Sequence, residues 1–122
     1  MSKKITADRE LKAVHHLMSR IYRLLNSGDW SIRYADLRND LRLLKKLGLG
    51  GGIVGYCDSE EDVLYVDYRE DVLATIVHEC LHALYPDVEE PGIKALEKLV
   101  MDRMSPIQAK RLHLIAAGAL CR

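Results

Sequence analysis

Phenylalanine is absent from this chain of 122 residues, so leucine, isoleucine, valine and six tyrosines must fill whatever core it forms. Cysteine is scarce and odd in number. Cys57, Cys80 and Cys121 are widely spaced, which argues against a disulfide-stapled scaffold and for free thiols in a reducing compartment. No stretch approaches the ~20 consecutive apolar residues of a membrane helix, so no membrane association is expected. The first ten residues carry basic side chains with no apolar run behind them, unlike a secretory leader, and a cytoplasmic protein is expected. The glycine-rich stretch at 48–52 lacks the Lys-Ser/Thr of a phosphate loop, and no G-x-G-x-x-G or zinc-finger Cys/His spacing occurs. Internal repeats and low-complexity tracts are missing too.

What remains is the composition of a single globular domain over residues 1–122: 48% hydrophobic, 30% charged and formally neutral. The neutrality hides a strong asymmetry. Residues 1–50 carry 11 Lys/Arg against 5 Asp/Glu, a net of +6. Residues 51–92 carry Arg69 alone against 11 acidic residues, a net of −10, and residues 93–122 return to +4. The acidic middle suits cation retention or basic substrates. The basic start suits an anionic partner, nucleic acid included, although a solvated helix face is the simpler account of it.

Apolar residues at 11, 14, 17, 18, 21, 24 and 25 recur at helical spacing and predict a helix over 6–25. His15 and His16 point about 100° apart, so one should cover the core edge and the other meet solvent. The alternation in 30–35 predicts a short strand, with a continuous helix from Ser31 as the competing reading. Asp36 then caps a predicted helix over 37–47. Two strands, 53–57 and 63–67, form a predicted hairpin turning at 58–61. The second of them could pair with an extended peptide, as an edge strand would. A helix starting at Glu70 or Asp71 should stop near Tyr85, before Pro86. Asp87 is a candidate cap for the next helix, 91–101. Ser105 and Pro106 open a last helix through about residue 119, which carries His113, a fallback metal ligand.

Within the 70–85 helix lies the most specific pattern in the chain, His78-Glu79-Cys80-Leu81-His82, or H-E-x-x-H. Residues i and i+4 share a helix face, so both imidazoles can meet one Zn²⁺ at about 2.0–2.1 Å. Glu79 falls on a neighbouring strip, where it can reach a water at the metal's open position and act as general base. The uncharged flanks, 75–77 and 83–84, suit a helix buried behind an active site. Cys80 lies about 200° from His78 and belongs to the core. A third ligand should come from the turn and helix after Pro86. Glu90 is favoured, Glu89 competes closely, and Glu97, two turns deeper, would need a different helix approach. Tyr65, Tyr68 and Tyr85 are the candidate donors to a developing oxyanion.

These residues, Thr75 to Leu84 followed by Tyr85 to Glu90, resemble the zincin metallopeptidases. The likeness is closest to the small single-domain members with a glutamate ligand, the minigluzincins, and to SprT-like minimal domains. It spans roughly residues 50–100. It implies an α+β, zincin-like fold: a small, mostly antiparallel sheet packed on helices that include the H-E-x-x-H helix. It implies also a zinc-dependent peptidase acting on a peptide or protein substrate through a metal-activated water, with zinc on His78, His82 and a downstream glutamate, and Glu79 as general base. The N-E-x-x-x-D motif of larger gluzincins is missing. A zincin-like metal-binding or interaction domain that hydrolyses weakly or not at all, with recruitment to nucleic acid as one option, is the alternative expectation.

Overall fold

The computed structural model describes residues 3–69 and 71–120. Its elements run α1 (Lys3–Asn26), β1 (Ser31–Ala35), α2 (Leu41–Leu47), β2 (Gly55–Asp58), β3 (Val63–Asp67), α3 (Val72–Leu84), α4 (Glu90–Arg103) and α5 (Pro106–Leu120). The architecture is α+β, with five helices and a three-stranded sheet in the order β1-β3-β2.

The sheet corrects two expectations. It is mixed rather than mostly antiparallel: β2 and β3 form the predicted antiparallel hairpin, but β1 pairs with β3 in parallel, Ser31 opposite Val63 through Ala35 opposite Asp67. The crossover holding α2 and β2 returns the chain to the same end of the sheet, which parallel pairing requires. And β3 is the central strand, not an edge. All five of its residues are buried. Leu64 and Val66 face the main core of α1, α3, α4 and α5, whereas Val63 and Tyr65 pack with Leu37 on the opposite side. A strand apolar on both faces is buried on both faces. The edge position beside the hairpin falls to β2, whose four residues are half-buried.

The α1 stripe holds in its middle: Val14, Leu17, Met18, Ile21 and Leu25 are buried, joined by Tyr22, while Leu11 is half exposed. His15 and His16 both face solvent, because the buried face runs through residues 14, 17, 18, 21 and 25 on either side of them. The segment 31–35 is a strand, and α2 begins four residues later than expected. Asp36 makes a tight turn instead of a cap, its carboxylate accepting from the backbone N–H of Arg38 and Asn39. Asp40 is the true cap, accepting from Leu43 N–H. Such local side-chain bonds compete directly with helix. The 36–39 turn drops Leu37 into the small second core, fully buried.

Asp67 ties these pieces together. Its backbone N–H donates to Val54 O at 2.8 Å. Its carboxylate accepts from Leu37 N–H at 3.1 Å and from Arg69 Nε and Nη2 at 3.1 and 2.9 Å. Arg69 also pairs with Asp36. The Arg69 hydrogen bonds outweigh the cost of burial and hold the Asp67 carboxyl well below the usual carboxylate range. A depressed carboxyl contributes stability above its unfolded value of about 3.9 and loses it as pH falls toward the folded value. Asp67→Asn is therefore expected to lower Tm at pH 7. The gap from the native protein should narrow as both are melted below about pH 4. A gap of constant size between pH 7 and 3 would contradict the ion-pair account.

Candidate metal centre

α3 begins where Asp71 accepts from Ala74 N–H at 3.2 Å, and Thr75 Oγ1 donates to Asp71 O at 2.9 Å. Glu70 as a start lies outside the described residues. The helix presents Ile76, Val77, Cys80 and Leu81 to the core, all buried, which fixes its rotation and leaves His78 and His82 on the opposite flank, half-buried. It ends at Tyr85, as Pro86 requires. The chain reverses over 85–89, and Glu89, not Asp87, occupies the cap position of α4 without a side-chain cap bond. Buried Ile93 and Val100 lock α4 to the core.

This helical hairpin returns Glu90, the first residue of α4, over the two histidines. Its carboxylate oxygens lie 2.7 Å from His78 Nε2 and 2.8 Å from His82 Nε2. The two Nε2 atoms are 3.2 Å apart. Two donors on one tetrahedral Zn²⁺ sit about 3.3 Å from each other, so the imidazoles are spaced for a shared ion. His78, His82 and Glu90 form the group of ligand atoms that could hold a metal ion among the described residues. Glu89 is exposed and outside that group. His113 is also exposed and apart from it.

Glu97 has a different place. It follows Glu90 by seven residues, two turns on the same face of α4, and its Oε1 lies 2.6 Å from His78 Nδ1. An ionised carboxylate only accepts, so Nδ1 carries the proton. A neutral His78 then turns the Nε2 lone pair toward Glu90 and His82. Lone pairs converging from three sides repel one another unless a proton or a cation stands between them. The Glu97 carboxylate thus orients the ring and favours the tautomer with the proton on Nδ1. Spacing alone offered Glu97 only as a rival ligand; what places it on Nδ1 is the antiparallel lie of α4 on α3.

Glu79 is buried on the next strip of α3, 6% exposed. Burial pushes its carboxyl up to about 7; His78 pulls it down, and Glu90 and Glu97 push it further up. β2 lies directly on it. A Cβ on Gly55 would stand 2.6 Å from Thr75 Cγ2 and 2.7 Å from Glu79 Oε2, so only glycine permits this approach. Residues 52–55, α3 and α4 enclose a cleft of about 560 Å³, which Asp71, Thr75, His78, Glu79, His82, Glu90 and Glu97 also line. Lys94 is the cation in its lining.

The three tyrosines expected as oxyanion donors line none of it. Tyr85 Oη accepts from Arg20 Nη1 at 2.8 Å, Tyr65 is buried in the second core, and Tyr68 is exposed with Arg69 over its ring. Each was placed near the motif by sequence, but helix and strand rotation turns it elsewhere.

No family model matches this chain, and no match was found among curated proteins or solved structures. The chemistry of the site is therefore argued from its own geometry.

Two outcomes follow. His82→Ala should reduce bound zinc from about one ion per chain to almost none, measured by elemental analysis of protein purified beside the native form. Glu97→Gln should retain the site but loosen it, by about 10–100-fold in zinc affinity, the usual effect of losing a carboxylate behind a ligating imidazole. Equal affinity in a chelator competition would remove Glu97 from this role.

Proposed function

We propose that the protein is a zinc-dependent metallopeptidase whose metal is held by His78, His82 and Glu90 and whose general base is Glu79. The observation that carries this reading is the convergence of two imidazole nitrogens and a carboxylate beside a buried carboxyl at the floor of one cleft. Two nitrogens and one oxygen suit Zn²⁺, although Mn²⁺, Co²⁺ or Ni²⁺ can occupy such a set. When bound there, the metal supplies Lewis-acid polarisation and lowers the pKa of water.

Glu79 accepts the proton of the attacking water and delivers it to the leaving amine. A carboxyl raised to about 7 by burial can both take and give a proton near neutral pH. Gly55 keeps water-excluding backbone against that carboxyl. The free edge of β2 and the 52–54 segment, rather than β3, offer the backbone groups along which an extended peptide can lie. The acidic lining favours basic residues in that peptide. Lys94, one turn beyond Glu90, replaces the tyrosines as the cation available to a developing oxyanion.

Glu79→Gln should abolish cleavage of denatured protein substrates while zinc content stays that of the native protein. New termini, detected by mass spectrometry, are the readout, and native-rate cleavage by this variant would refute the general-base role. Gly55→Ala should keep zinc yet cost about 1–3 kcal/mol of stability, as overpacking does, and slow cleavage as β2 is levered off Glu79. Unchanged Tm and rate would show that the tight approach is not needed.

A second reading, a zincin-like domain that binds metal without hydrolysis, draws on the absence of the three expected tyrosines from the cleft lining and on the small size of a 122-residue chain. Zinc-loaded native protein that binds unfolded chains and generates no new termini would favour it.

A further inference from the structure

The basic N-terminal segment has no part in the cleft, yet it builds a hollow of its own. Between the C-terminal half of α1 and α5 lies a cavity of about 420 Å³ lined by Ser19, Tyr22, Arg23, Asn26, Ser27 and Arg111. It shares no residue with the metal cleft. Among the described residues, no carboxylate lines it. Arg111 stacks over the Tyr22 ring, 4.7 Å from its centroid, and Tyr22 Oη donates to Gln108 O at 3.0 Å, so this wall is held in place across the two helices. Among the described residues neither Arg23 nor Arg111 forms an ion pair. Two unneutralised guanidinium groups thus face one hollow beside hydroxyl and amide donors.

The C-terminus of α1 opposes an anion there, but with only about half a charge, against a full charge on each arginine. Ser27 Oγ also donates to Leu24 O at 2.7 Å and blunts that end. The balance remains clearly positive.

A second hollow, about 270 Å³, adjoins the first and shares Arg23 and Ser27 with it. Its wall holds Arg20, Trp30 and Leu84, with Asp29 as its one acidic residue. An arginine-lined hollow that shares residues with one holding an aromatic and an aliphatic side chain sets charge beside apolar surface, as a nucleotide does. We propose that this paired hollow binds a nucleotide, its phosphate between Arg23 and Arg111 and its base toward Trp30. Bidentate guanidinium contacts suit the phosphate, and aromatic surface suits any base, with little sequence preference. The site does not depend on the peptidase reading.

Trp30 is the chain's single tryptophan, so its fluorescence reports the second hollow. The zinc-loaded native chain is titrated with a ten-residue oligothymidylate, with thymidine monophosphate and with inorganic phosphate, at fixed ionic strength. The expected result is quenching of Trp30 by the oligonucleotide. Binding should weaken with rising salt, by about −0.7 in log–log slope for each phosphate engaged. Arg23→Gln and Arg111→Gln should each weaken it about tenfold. Arg23 is exposed, so its replacement leaves the fold intact, and melting curves check Arg111→Gln. Equal quenching by the monophosphate assigns the site to free nucleotides, and preference for the oligonucleotide assigns it to nucleic acid. Binding of inorganic phosphate alone overturns the proposal. So does the absence of quenching, or Arg23→Gln and Arg111→Gln variants that both stay within twofold of the native affinity.

Discussion

The cleft depends on one electrostatic constraint. The ligand atoms of His78, His82 and Glu90 converge on a common point, and Glu97 faces the other nitrogen of His78, Nδ1, at 2.6 Å. Such a cluster of nitrogens and carboxylate oxygens needs a proton or a cation among its atoms. Packing sustains it. Buried Ile76, Val77, Cys80 and Leu81 fix the rotation of α3, and buried Ile93 and Val100 fix that of α4. Pro86 sets the length of α3, so the reversal at 85–89 returns Glu90 opposite the last turns of α3 instead of beyond them. Core packing and polar convergence are two sides of the same helical hairpin.

The sheet serves the cleft through backbone proximity. Gly55 has no side chain to hold β2 away, so the strand closes over Glu79 and raises its carboxyl by excluding water. The cleft wall at Val54 is bonded to Asp67, and Asp67 in turn to Leu37 and Arg69. The flank of the cleft is thus connected to the second core by a buried carboxylate. Cys57 shares in this exclusion: burial, with Glu79 close by, pushes its thiol up to about 12, which disfavours the thiolate form.

Much was legible in the sequence wherever short-range rules operate. The α1 stripe, the β2–β3 hairpin, the stop at Pro86 and the start of α5 all follow from periodicity and turn chemistry. Ser105 and Gln108 complete the last with reciprocal side-chain bonds. The i, i+4 pairing of His78 and His82 was legible for the same reason. Where the reading failed, long-range partners decided. Asp36 looked like a helix cap, but Leu37 gains more by burial against Val63 and Tyr65 than by starting a helix. The zincin resemblance made β3 the expected edge, although its run of apolar residues matches a strand covered on both sides. The three tyrosines near the motif carry no sign of which way each faces.

Residue spacing along one helix settled which imidazoles share a face and which carboxyl stands beside them, because a helix repeats over a single turn and needs no distant contact to do so. Tertiary structure alone assigned Glu90 and Glu97 to opposite nitrogens of one ring, brought Gly55 onto Glu79, set β1 parallel to β3, and gathered Arg23 and Arg111 from the two ends of the chain. Those relations arise from the angle and depth at which separate elements pack, and that is fixed by how their buried faces interlock rather than by the order of residues in any one of them.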